Sequence, residues 1–139
     1  MGEFQSLYAG RLWSIMSWDQ LSAFWRRIDP AAGWYVYAVG EAVPPAPAEA
    51  RDVAAFIERL DALLRENHRH DYCSIVYADD LEQPSFVKIY DPDNLGVSCG
   101  SSKNPPLPGW ILSRVPPEDL KPPRPQPENR RRWWRTVFG

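Results

Sequence analysis

His68, His70, Cys73 and Cys99 are the only histidines and cysteines in the chain, and they are the residues best suited to nucleophilic or metal chemistry. Imidazole and thiolate are the ligands zinc prefers, so the four could close one tetrahedral site. Their spacing matches no zinc finger or ribbon, and a histidine pair ending a helix has a simpler use against the negative end of the helix dipole. Cys99, set between Ser98 and Gly100, is the candidate nucleophile. It would need a base or cation beside it to lower its thiol pKa, and only His68 and His70 could supply an imidazole. The plainer reading of Cys99 is an unreactive, partly buried side chain. Neither a metal nor a cofactor is expected.

Cys99 lies in a longer stretch, residues 91–110, whose backbone is constrained or freed at short intervals by Asp91-Pro92, Gly96, Gly100, Asn104-Pro105-Pro106 and Pro108-Gly109. A loop of this length without secondary structure is uncommon in a compact domain and tends to carry function. Its prolines limit the conformations it visits, which lowers the entropy cost of presenting it to a partner. Within it, GVSCGSSK fails the G-x-x-x-x-G-K-[ST] spacing of a Walker loop. The amides of residues 99–102, with Lys103 beside them, could still form an anion-binding nest, against the plainer reading of a structural turn. DPDNLG opens like a calcium loop, but Leu95 and Ser102 stand where the fifth and twelfth ligands belong. It reads instead as a tight Asp-Pro turn with Asn94 or Gly96 left-handed. The candidate binding residues are therefore Asn94, Cys99, Ser101, Ser102, Lys103, Leu107 and Trp110.

A second group closes the chain: Arg130, Arg131, Arg132, Trp133, Trp134 and Arg135. Clustered arginine beside tryptophan suits an anionic membrane surface or a nucleic acid. The competing reading folds the two indoles back onto the domain, with the arginines meeting its acidic loops. Charge sharpens the contrast, since residues 1–120 hold ten basic and seventeen acidic side chains, whereas residues 121–139 hold six basic and one acidic. A third feature is the strand face bearing Phe86, Lys88 and Tyr90, an arrangement used by RNA-binding sheets. The matching sequence signature is missing and the body is acidic, so packing against the N-terminal segment or the tail is expected there.

The elements that must position these residues are legible in outline. Ser17 with Gln20 three residues on is a capping box, and Met16 with Leu21 a hydrophobic staple. Trp18, Leu21, Trp25 and Ile28 then form one stripe of a helix over 17–28, ended by Asp29-Pro30. Residues 33–39, GWYVYAV, read as a strand. Residues 48–66 carry Val53, Ile57, Leu60 and Leu64 at helical spacing, with Asn67 a left-handed cap. Residues 71–78 and 85–90 make a hairpin around an acidic loop, and 110–115 a further strand. Residues 1–16 hold Phe4, Leu7, Tyr8, Leu12 and Ile15 at helical spacing, interrupted by Gly10, and are set apart as an extension.

The predicted fold is α+β: a single two-layer domain over 17–117, a four-stranded, largely antiparallel sheet with two helices on one face. Residues 118–139 follow as a proline-rich linker and a basic, aromatic tail. At 139 residues, 44% hydrophobic and 24% charged, the chain has the composition of a globular domain with a sizeable core. It has no apolar run of the roughly 20 residues needed to span a bilayer. It shows no secretory signal, and two cysteines in separate elements suit a reducing compartment, so a cytoplasmic location is expected. The sequence points to a small non-enzymatic binding or adaptor domain engaging a macromolecule, in the first place a protein, through the 91–110 loop and adjacent sheet. The alternatives are a cysteine-dependent enzyme or small-ligand protein using Cys99, and a tail-mediated binder of anionic membrane or nucleic acid. Oligomeric state is left open.

Overall fold

A computed structural model describes residues 2–68, 73, 75–94, 107–122 and 126–138. The chain runs α1 (Glu3–Ala9), β1 (Trp13–Ser14), α2 (Trp18–Arg26), β2 (Tyr35–Ala38), α3 (Ala50–Asn67), β3 (Val76–Ala78) and β4 (Phe86–Ile89). A 3-10 turn (Pro92–Asn94), β5 (Trp110–Ser113) and α4 (Glu128–Phe138) complete it. The strands form one sheet in the order β1-β3-β4-β5-β2, and each neighbouring pair is antiparallel. The α+β class is as expected, but the described residues hold five strands and four helices where four and two were predicted.

The additions come from the two ends. Residues 2–16 are part of the fold: α1 stops at Gly10, and the chain then pairs Trp13 with Ala78 and Ser14 with Tyr77 as an edge strand. Two residues are too few for a visible alternation, and backbone pairing to β3 alone makes them a strand. At the other end, residues 128–138 are no extended tail. Asn129, Arg131, Arg132 and Arg135 are exposed along α4, whereas Arg130, Trp133, Trp134, Val137 and Phe138 turn inward at helical spacing.

The sheet alternates as its period of two demands. Val36, Ala38, Val76, Val87, Ile89 and Leu112 face a core shared with α2, α3 and α4. Tyr37, Val39, Phe86 and Ile111 face the other way, and α1 covers them with Phe4, which is buried, and Tyr8. Both faces are therefore covered, which explains why residues 33–39 are apolar on both sides. The segment after β5 is held to this second face, where Tyr37 Oη accepts the Leu120 amide at 3.2 Å and donates to Asp119 Oδ1 at 3.5 Å.

Local signals behave in instructive ways. Ser17 Oγ accepts the Gln20 amide at 3.0 Å, the first bond of the capping box, whereas Gln20 Oε1 reaches past the cap and accepts the amide of Met16 at 2.8 Å. The buried stripe of α2 is rotated from the expected one. Leu21 and Phe24 are fully enclosed, while Trp25 is half-buried and donates its indole N–H to Asp61 Oδ1 at 3.1 Å. Asn67 does not cap α3 in a left-handed turn: it is the last helical residue, its side-chain Nδ2 donates to the Leu63 carbonyl at 2.9 Å, and His68 follows in extended backbone. Gly40, with φ 101°, does need to be glycine, both for that angle and because a Cβ there would meet Gln126 Cγ at 3.0 Å. No described helix is long and apolar enough to cross a membrane.

Candidate functional site

The segment after β4 begins with a turn organised by one carboxylate. Asp91 Oδ1 accepts the Asp93 amide at 3.0 Å, the local bond that makes aspartate a turn former. The same carboxylate is nearly sealed from solvent, and its charge is met by Arg130 of α4. Arg130 Nε reaches Asp91 Oδ2 at 2.6 Å, and its Nη2 reaches Asp91 Oδ1 at 3.0 Å and Asp93 Oδ2 at 2.7 Å. This is the two-pronged geometry in which a planar guanidinium fits a carboxylate best. Hydrogen bonding from Asp91 pushes the Arg130 pKa further up, against the opposing effect of burial.

The far end of the segment returns beside the near one. The Gly109 amide donates to the Ile89 carbonyl at 2.9 Å, and the Gly109 carbonyl accepts the Val39 amide at 3.0 Å. A Cβ on Gly109 would lie 3.3 Å from the Asp91 Cβ, so glycine lets the two roots touch. Trp110 then enters β5 as a buried core residue, its ring 5.5 Å from that of Trp133. Leu107 is half-buried against the second-face cluster.

The candidate residues are thus partly placed. Cys99, Ser101, Ser102 and Lys103 lie outside the described residues, as does Gly96, and the side chain of Asn94 does too. Of the four considered for zinc, His70 and Cys99 also lie outside. His68 is buried, its ring 5.9 Å from that of Trp18. Cys73 is a buried free thiol whose pKa is raised by burial, so it stays protonated at neutral pH. In the closing segment Trp133 and Trp134 pack edge-on against Phe56, Arg135 pairs with Glu128 at 3.1 Å, and Arg131 and Arg132 are exposed. The indoles are spent on the core, and among the described residues Trp13, at 51% exposure, is one of the two large hydrophobics that stand out to solvent.

Asp91 and Asp93 were read only as turn residues, and their pairing with Arg130 had no local signal, because 37 or more positions separate the partners. The second sheet face holds one more polar group. Lys88 Nζ lies 3.8 Å from the centroid of the Tyr8 ring, and Tyr77 is its cross-strand partner in the β3–β4 register. Of the two uses expected for this face, packing against the N-terminal segment or against the tail, α1 supplies the first. No family model, curated protein or solved structure matches the chain.

Proposed function

We propose that the chain is a non-enzymatic binding module that presents the 91–110 segment, together with the adjacent end of the sheet, to a macromolecular partner, a protein in the first place. The observation that supports this most is the rooting of the segment. Its first residues are tied to α4 by the buried Asp91–Arg130 pair, and its last are tied to β4 and β2 through Gly109. Residues between roots that lie side by side are offered on a common base, and a preorganised base lowers the cost of ordering a contact surface. Lys103 and Leu107 supply a charge and an apolar side chain there, the mixture expected of an interface core and its rim. The reading includes a cytoplasmic location, on the ground of cysteine usage and the reduced, buried Cys73.

The test is a pull-down from the native host with Leu107→Ala and Lys103→Glu beside the unaltered chain, each variant also melted. Both should weaken capture several-fold while shifting the melting midpoint little. Undiminished capture, or loss that follows unfolding, would move the site off this segment.

A further inference from the structure

The sheet has two edges, β1 and β2, and the chain itself flanks one of them. Along β2 the Glu41 amide donates to the Ala38 carbonyl at 2.9 Å, the Ala48 amide to the Trp34 carbonyl at 2.8 Å, and Gln126 Nε2 to the Val39 carbonyl. At β1 the Ile15 amide donates to the Val76 carbonyl at 2.9 Å, which makes Ile15–Val76 and Trp13–Ala78 the bonded pairs of the ladder. The backbone groups of Leu12 and Ser14 therefore point away from β3, and among the described residues nothing bonds them. The same edge carries the two large hydrophobics that stand out to solvent among the described residues, Trp13 and, just beyond the strand, Met16 at 56% exposure. Register sets Trp13 in line with Ala78, Val87, Leu112 and Val36 on the core face, yet half of it is uncovered. Arg11 is exposed beside it, its guanidinium 6.0 Å from the indole centroid, and has no carboxylate partner among the described residues.

We propose that β1 is a self-association edge: a second copy of this chain adds its own β1 antiparallel to the first, about a twofold axis at Leu12. In that register each Leu12 amide donates to the Leu12 carbonyl of the other copy, and each Ser14 amide donates to the other copy's Gly10 carbonyl. Gly10 suits this because its backbone is extended, with φ −79° and ψ −173°. Its own amide is spent on the Leu7 carbonyl at 3.2 Å, which leaves the Gly10 carbonyl as the acceptor. Arg11 falls opposite Trp13 of the other copy and Trp13 opposite the other's Arg11, so each guanidinium gains an indole face. One short stretch thus supplies both halves of the contact, which is the condition for an isologous pair. The two guanidiniums are diagonal neighbours and stay in solvent, where their repulsion is screened. Because the β2 edge is flanked by its own chain, pairing closes at two copies rather than growing into a fibre. This inference is independent of the reading of residues 91–110.

The test uses the full purified chain in sedimentation-equilibrium runs over a concentration series reaching millimolar. A reversible monomer–dimer equilibrium is expected. Trp13→Lys, an exchange at an exposed position, should weaken it tenfold or more while leaving the melting midpoint of dilute samples within a few degrees. Leu12→Cys, verified by its melt, places a thiol on the proposed axis, where bonded antiparallel partners bring their Cα atoms to ~5.5 Å, within disulfide reach. Mild oxidation should cross-link it to its own copy several-fold faster than Met16→Cys, which lies off the axis, with the unaltered chain giving the background of the native cysteines. A chain that stays monomeric throughout, a dimer that Trp13→Lys leaves intact, or equal cross-linking at positions 12 and 16 overturns the proposal.

Discussion

Arg130 is the residue on which the loop roots and the last helix both depend. Its side chain is 8% exposed and that of Asp91 4%, so two opposite charges have been taken out of water together. Such a pair adds little over a matched apolar pair, but breaking it is costly because the survivor is left buried and uncompensated. The second partner, Asp93, is 54% exposed on its side chain, and solvent screening makes that contact a minor one. Arg130→Met should therefore cost ~3–5 kcal/mol in urea denaturation. Adding Asp91→Asn, which keeps the turn and removes the charge, should recover part of that loss, a coupling that a double-mutant cycle reads directly. A single-variant cost below ~1 kcal/mol would mean that water reaches the pair.

Among the elements, α2 separates capping from packing. Its Ser17 cap satisfies one orphan amide at the surface, so Ser17→Ala should lower stability by ~1 kcal/mol. Phe24 is fully enclosed, and Phe24→Ala should cost ~3–5 kcal/mol through the cavity it leaves. Trp25→Ala should cost less than Phe24→Ala, although tryptophan is the larger side chain, because the indole is only partly buried and its bond to Asp61 is partly exposed. Chemical denaturation of the three variants tests this ranking. A Trp25 effect exceeding that of Phe24 would restore the stripe expected from spacing alone.

For the whole molecule, α4 decides whether the closing segment can be removed. The sequence reading makes it an appendage, so that a chain ending at Lys121 would melt within a few degrees of the full one. The structure argues for the opposite result. Trp133, Trp134, Val137 and Phe138 lie against the core around Phe56 and Trp110, and Arg130 neutralises buried Asp91. Fully burying one such apolar side chain is worth ~1.5–3 kcal/mol, so four half-buried ones and a broken ion pair exceed what a small domain can spare. Truncation after Lys121 should lower the melting midpoint by ~10 °C or more, as differential scanning calorimetry would show. A midpoint unchanged by truncation would return α4 to the status of a tail.

What the sequence determined by itself was local. The Ser17–Gln20 box, the helical spacing of Val53, Leu60 and Leu64, and the β-rich run of residues 33–39 each depend on neighbours a few positions away, where stereochemistry and periodicity act. The class of fold followed from those elements. Tertiary structure decided what local rules cannot reach. Two-residue β1 exists only because β3 lies beside it, and Phe4 is core only because Phe86 waits on an uncovered sheet face. The pattern RRRWWR fits an exposed tail and a packed helix equally well, since an indole or a guanidinium can serve either water or the interior. The choice rests on Asp91, Phe56 and Trp110, distant in sequence, which together make burying Arg130 and the two indoles favourable.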